Sequence, residues 1–286
     1  MSKLALGTAN FGLNYGFKNA HKKLKIDSIE EILNYAWLNK IDTIDTAMGY
    51  GDSESVIGNY LNQNKDKKFE IITKINKVDS ASFHLKQSLQ NLHQSRLCAV
   101  LIHNFNFFEE NPELLNDLFQ FKEGGNCNKV GITLYHPEEL EYLIDNKVQI
   151  DIIQIAYSIF DQRFEYLFPK LKALNIEIHV RSVFLQGLFF ANTSELSPHF
   201  DLVKYKIEQI QQLSKTTAIS IASLCLNFAN NNEYIDKIIV GVDSVEDLKN
   251  NVEILNENEE VKTLMKTLKN FSEKDVNILF PHFWKL

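Results

Sequence analysis

The sequence predicts a single-domain (β/α)8 barrel, the TIM barrel of the α/β class, spanning residues 1–286. Three observations carry this reading. Short β-rich apolar runs alternate with amphipathic segments from end to end, eight times over. No Gly/Ser/Pro-rich linker, low-complexity tract or charge block divides the chain. The first run also lacks the G-x-G-x-x-G turn that a doubly wound dinucleotide-binding sheet would place after it.

Residues 4–6 open the barrel, and a Gly/Asn-rich loop runs on through Gly16. Ser28-x-x-Glu31 reads as a capping box, and behind it Ile29, Ile32, Leu33, Ala36 and Trp37 recur at helical spacing. Residues 41–45 form a second, β-branched strand ending on Asp45. A tight loop then carries Tyr50 and Gly51, and Asp52 or Ser53 caps a helix over residues 53–61. Residues 69–74 are the third strand, followed by an amphipathic run over 83–92. Residues 97–103 are the fourth, followed by a helix entered through Pro112. Residues 129–133 are the fifth, with Pro137 starting the next helix. Strands at 151–155, 176–182 and 235–241 complete the set. Helical patterns accompany them at 166–174, 203–213, 219–229, 245–255 and 261–271, before a tail ending PHFWKL.

The net charge of −7 argues against a nucleic-acid surface, which needs a basic stripe. Cys98, Cys127 and Cys225 are odd in number and far apart, so they read as incidental thiols in a reducing compartment. The eight histidines show no H-x-H or H-E-x-x-H spacing, which points away from a bound metal. The start, MSKLALGTANFG, lacks the apolar core of a signal peptide, and no run approaches ~18 apolar residues. The expectation is a cytoplasmic protein without membrane or nucleic-acid partners, a monomer or small homo-oligomer acting on a small molecule.

In a barrel the C-terminal strand ends converge on one mouth. They offer Asp45 with Tyr50 just beyond, Lys74, His103, Thr133, Gln154, Arg181 with Ser182, and Gly241. Taken singly, Asp45 is an ordinary turn carboxylate, Tyr50 a loop aromatic, Lys74 a snorkelling lysine and His103 a hydrogen-bonded core residue. Together they form a chemical set. A phenol with a pKa near ~10 is a poor acid at neutral pH, and an adjacent ammonium held by a carboxylate favours its ionised form. A histidine can orient a carbonyl oxygen. These are the requirements of carbonyl protonation.

The motifs that hold these residues make the likeness specific. They are LGTANFG, IDTIDTAMGYGDSESVIG, IITK and LIH, followed by KVGIT, DIIQIAYSIFDQR and IIVGVDSVEDLKNNV. Over nearly its whole length the chain resembles the aldo/keto reductase superfamily, nicotinamide-dependent (β/α)8 oxidoreductases. The resemblance implies Tyr50 as general acid, Lys74 and Asp45 as the pair that lowers its pKa, and His103 as the carbonyl-orienting residue. It implies cofactor contacts from Gly7 and Thr8, Thr133, Gln154, Arg181, Ser182 and the loop after it, Gly241, Asp243 and Asn251. Phe11, Tyr15, Phe105 and Trp284 fit a substrate-pocket rim.

Two departures matter. The family commonly shows Ser-Asn where this chain has Thr133-Leu134, and many members stack the nicotinamide on an aromatic ring where this chain has Arg181. A guanidinium can stack in its place or bind an anionic group of cofactor or substrate. NADPH-preferring relatives usually carry Lys or Arg after the eighth strand. Here the segment reads Gly241-Val242-Asp243-Ser244 with Asp247 later, which leans toward NAD(H) against the family's NADP(H). Proteins resembling this one, with HVRSVFLQG at the seventh strand, are often associated with bacterial surface-sugar pathways, a lean toward a sugar-derived carbonyl. The competing readings are a catalytically weak nicotinamide-binding partner subunit on the same fold, and a metal-dependent hydrolase or sugar isomerase.

Overall fold

In the computed structural model, which describes residues 2–14, 22–76 and 81–285, eight parallel strands close into one barrel in sequence order. They are β1 (Leu4–Gly7), β2 (Thr43–Asp45), β3 (Glu70–Ile75), β4 (Leu97–Ile102), β5 (Cys127–Leu134), β6 (Ile152–Ala156), β7 (Glu177–Arg181) and β8 (Lys237–Gly241). Closure is made by β1, whose Gly7 lies in register with Asp45 on one side and Gly241 on the other. The expected (β/α)8 architecture is therefore what the chain forms.

Strand periodicity then places the site. Ile72, Ala99, Leu101 and Ile152 form a small apolar cluster of their own, apart from the main core between barrel and helices. Side chains alternate faces along a strand, so Lys74, His103 and Gln154, each two residues further on, share the lumen side at the C-terminal mouth. Beyond the strands the ladder continues into the loops. Thr8 N donates to Asp45 O (3.1 Å), Thr46 N to Ile72 O (2.8 Å), Met48 N to Lys74 O (3.1 Å) and His103 N to Ile75 O (2.9 Å).

The helices that follow are α1 (Ala9–Gly12), α2 (Ile26–Leu38), α3 (Ser53–Gln63), α4 (Ala81–Asn91), α5 (Phe105–Glu110), α6 (Leu114–Glu123) and α7 (Pro137–Asp145). They continue with α8 (Phe168–Ala173), α9 (Asp201–Thr217), α10 (Ile221–Asn230), α11 (Val245–Glu253), α12 (Asn258–Lys269) and α13 (Val276–Leu279). The apolar stripe of α2 is buried at Ile29, Ile32, Leu33 and Ala36, and Trp37 tilts against Phe69 with ring centroids 5.5 Å apart. Pro137 is the first residue of α7, and the Glu139 carboxylate reaches back to accept from Tyr135 N (2.7 Å) and His136 N (3.1 Å).

Two expected caps are corrected. α2 starts at Ile26 with Lys25 as its extended N-cap residue, so Ser28 lies inside the helix. A backbone bond from Leu24 N to Asn10 O (2.9 Å) pins the entry to this helix instead. At α3 Asp52, one of the two expected, is the N-cap residue, but neither Asp52 nor Ser53 caps with its side chain. Asp52 pairs with Lys23 at 2.5 Å, and the Ser53 hydroxyl donates to Thr8 O at 3.0 Å. Tertiary bonds thus took both side chains. Glu54, buried, accepts from Thr73 (2.7 Å) and Ser88 (3.0 Å), which ties α3 to β3 and α4.

Candidate active site

The centre of the mouth is an ion pair withdrawn from water. Lys74 and Asp45 are 1% and 3% exposed, and the ammonium donates to Asp45 Oδ1 at 2.5 Å and to Thr46 O at 3.0 Å. Burial opposes the Lys74 charge, yet the Asp45 carboxylate and the Tyr50 phenol beside it hold its pKa above the ordinary lysine value. The second oxygen of Asp45 accepts from the Gln154 amide at 2.7 Å. Both carboxylate oxygens are thereby used, and a buried charge is satisfied as such a charge must be.

Tyr50 stands over this pair on the loop after β2. The Lys74 Nζ lies 5.1 Å from the centre of its ring, and its ring meets His103 edge-on with centroids 6.0 Å apart. The loop owes its place to glycine. A Cβ on Gly12 would lie 1.8 Å from Tyr50 O, and one on Gly51 would lie 2.4 Å from Gly12 O. Gly51 also holds a left-handed φ of 59°, which glycine adopts without strain. Beneath the loop, Thr8, Thr46 and Ser53 bond hydroxyl to hydroxyl at 3.0–3.1 Å. The Tyr50 backbone is clamped from both sides.

His103 is held neutral. Burial first, and then the Lys74 and Arg181 charges acting against that of Asp45, push its pKa down to about 4. Its Nδ1 is buried without a hydrogen-bond partner among the described residues, as are Thr133 Oγ1 and Arg181 Nη2. Arg181 sits over Tyr135, its guanidinium carbon 4.6 Å from the ring centre, and donates from Nη1 to Ser182 Oγ at 3.1 Å.

A cavity of about 480 Å³ opens on this arrangement. Asp45, Tyr50, Gln154 and Arg181 line one part of it, with Gly7, Thr8, Asn10 and Gly241 beside them and Asp243, Asp247, Asn250 and Asn251 beyond. A Cβ on Gly241 would meet nothing within 4 Å, so the space over that glycine belongs to the cavity. The loop after β7 lines another wall. There Phe184 is right-handed while Leu185, Gln186 and Gly187 take φ of 44°, 48° and 86°. Within the loop Leu185 N donates to Ser182 O (2.9 Å) and Gly187 N to Phe184 O (2.8 Å), so these two N–H groups close tight turns. Among the described residues no three His, Cys, Asp or Glu side chains gather as a metal site.

The remaining sequence candidates lie elsewhere. Phe11 is fully buried in α1. Phe105 packs on Phe108 and Tyr142, with centroids 5.7 and 5.6 Å away. Trp284 stands edge-on to Phe200 and donates its indole N–H to Ile278 O at 2.8 Å, bracing the tail. None of the three lines the cavity. Tyr15 falls outside the described residues. Lys74, His103 and Thr133 stand behind the lining, the first joined to it through Asp45 and Tyr50. Sequence reading missed Asn10, whose amide donates to Val242 O (2.7 Å) and Asp243 (3.0 Å) and so fastens the loop after β1 to the loop after β8. It also missed Tyr135, the platform for Arg181. No helix of the described residues is long and apolar enough to cross a membrane.

Known proteins give a consistent answer. The chain is 22% identical over 301 residues to the uncharacterized oxidoreductase YqkF of Bacillus subtilis, covering 96% of this chain and 94% of that one. It is 24% identical over 263 residues to D-arabinose 1-dehydrogenase of Saccharomyces cerevisiae, covering 80% and 78%. The holo form of an aldo-keto reductase from Bacillus halodurans superposes with a TM-score of 0.74 over 97% of this chain and 95% of that one, at 17% identity. The model of the Aldo/keto reductase family matches residues 3–273. This chain is an oxidoreductase and belongs to the aldo/keto reductase family.

Proposed function

We propose that the enzyme reduces an aldehyde or ketone to an alcohol with NAD(P)H, with Tyr50 as the proton donor. The observation that carries this is the shared mouth: a phenol over a buried Lys74–Asp45 pair, a neutral His103 edge-on to that phenol, and a cavity lined by Tyr50 and Asp45 with Lys74 and His103 directly behind them. The bound reduced nicotinamide supplies the hydride. Tyr50 donates its hydroxyl proton to the developing alkoxide, and the Lys74 ammonium stabilises the negative charge left on the phenol oxygen. Asp45 keeps Lys74 charged and aimed. His103, uncharged above about pH 5, offers a ring nitrogen that orients the carbonyl oxygen without competing as an acid.

The cavity suits a dinucleotide. Its floor at Gly241, where a Cβ would meet nothing within 4 Å, admits close approach of a pyrophosphate, and the loop after Ser182 forms the adjacent wall. The Gln154 amide nitrogen is engaged by Asp45, which leaves its carbonyl as an acceptor for a carboxamide N–H. Thr133 Oγ1, buried and unpartnered, is a second candidate contact. At the far end, Asn251 and the carboxylates of Asp243 and Asp247 suit ribose hydroxyls better than a 2′-phosphate, so NADH is the favoured form. A sugar-derived substrate agrees with the name of the yeast relative, D-arabinose 1-dehydrogenase.

The test is Tyr50→Phe. Turnover of small aldehydes should fall about 10²–10⁴-fold. The affinity for NADH by fluorescence titration should stay within about threefold. Unchanged turnover removes Tyr50 from the mechanism, and failure to bind either dinucleotide removes the reaction.

A further inference from the structure

The chain has three arginines, and they are treated differently. Arg163 is satisfied: it grips Asp161 with Nε (2.8 Å) and Nη2 (2.9 Å) and reaches Tyr135 O (3.1 Å). Arg181 lines the cavity yet has no carboxylate partner among the described residues. Its bonds are one to the Ser182 hydroxyl and one cation–π contact with Tyr135, and Nη2 is buried with nothing to donate to. A half-buried guanidinium with one N–H group left unpartnered and no counter-charge is costly, and it repays that cost when the missing anion arrives with a ligand.

The surroundings fix where that anion would sit. Arg181 is in register with Ala156, one pleat above the Gln154–His179 pair, so it faces the lumen beyond Gln154, next to a side chain too small to fill the space. Its backbone is anchored by Tyr157 N donating to Arg181 O at 3.0 Å. The Tyr135 platform is itself backed by Phe280 and His282, 5.6 and 6.2 Å away. Arg181 thus stands at the reacting end, where its charge is felt by His103. The other end of the cavity carries Asp243 and Asp247, which repel an anion.

We propose that Arg181 receives an oxyanion of the carbonyl substrate, making this enzyme selective for aldehydes or ketones that carry a carboxylate or phosphate. The proposal rests on the carbonyl reduction above. The same chemistry could be met by the cofactor's pyrophosphate, and the experiment separates the two sources.

Wild type, Arg181→Lys and Arg181→Gln are assayed with matched pairs, D-glucuronate against D-glucose and succinic semialdehyde against butanal. Affinities for NADH and NADPH are measured in parallel. Wild type should favour the carboxylate member of each pair by about tenfold or more in kcat/KM, mainly through KM. Arg181→Lys should keep part of that ratio, and Arg181→Gln should bring it to about one. A wild-type ratio of one or less, or a ratio untouched by Arg181→Gln, overturns the proposal. So does a loss of dinucleotide affinity in Arg181→Gln with the ratio intact, which would assign Arg181 to the pyrophosphate. If no substrate turns over in wild type, the proposed reaction has failed rather than Arg181. Calorimetric titration with succinate then decides: binding by wild type that Arg181→Gln abolishes upholds the oxyanion site, and no binding overturns it.

Discussion

Gln154 and Asp45 lie 109 residues apart in sequence, yet the amide of one donates to the carboxylate of the other at 2.7 Å in the floor of the mouth. The bond locks the carboxylate plane while its second oxygen holds Lys74 at 2.5 Å. Gln154→Leu leaves Asp45 Oδ2 buried and unpaired. The expected loss is about 1–3 kcal/mol of stability by urea denaturation, together with a fall in kcat as Lys74 loses its fixed aim. A variant equal to wild type in both would mean that Asp45 needs no second donor.

Removing the anchor itself is harsher. Asp45→Asn strands an ammonium that is 1% exposed, and breaking a buried pair by deleting one partner costs about 3–5 kcal/mol. The melting temperature should drop by about 5–15 °C. Asp45→Asn combined with Lys74→Met, which discards both charges, should recover much of that stability while activity stays lost. Stability that falls further in the double variant would show the pair to be net stabilising.

The Tyr50 loop offers a purely steric test. In Gly12→Ala the new methyl would lie 1.8 Å from Tyr50 O, so the loop must retreat. A displacement of about 1 Å costs about 10²-fold in rate when it moves a reacting group. Gly125→Ala is the control: its φ of 78° adds a backbone strain that Gly12→Ala does not have, but its Cβ meets nothing within 4 Å. Kinetics and circular dichroism on both should show a folded, crippled Gly12 variant and a folded, active Gly125 variant.

Much of this site was legible because its residues end local patterns. Lys74 and His103 are polar residues closing apolar runs, and Asp45 closes a β-branched one, so periodicity alone set them at strand ends. What stayed hidden depends on distant partners. Asn10 in the first loop works by bonding Val242 and Asp243, and nothing near it in sequence signals that. Glu54 has no neighbour in sequence that signals its burial, yet it is buried against Thr73 and Ser88. The cap expected at Ser28 failed, and Asp52 is the N-cap residue of α3 but makes no side-chain cap bond, for the same reason: a good local cap yields when a tertiary bond claims the side chain or sets the chain's entry. α5 and the short turns after β7 are too brief for a 3.6-residue period to register.

The far end of the cavity bears on cofactor choice. Asp243 accepts from Asn10 at 3.0 Å, and Asp247 accepts from Asp243 N (3.2 Å) and the Ser244 hydroxyl (2.9 Å), so both carboxylates are held in place. The nearby Lys249 is paired with Glu246 at 3.3 Å. NADH should bind about tenfold or more tightly than NADPH at low salt, and Asp243→Asn should narrow the gap. Equal or tighter NADPH binding by wild type would reverse this assignment.

His103 connects the site to acid stability. Burial, with the Lys74 charge second, takes its pKa from 6.5 down to about 4. The unfolded chain therefore binds a proton at this residue before the folded one does. The stability it contributes is present above pH 6.5 and is lost as the pH falls from there through 4. Between pH 7 and pH 5 the loss from this one group is about 2 kcal/mol. Urea denaturation of wild type and His103→Gln at the two pH values isolates it, because other groups titrate alike in both. The variant should lose less stability than wild type over that interval. Rates between pH 6 and pH 8 should carry no inflection from His103, since it is uncharged throughout. Equal losses of stability in the two proteins would place the His103 pKa near its ordinary value and expose it to solvent in the folded state.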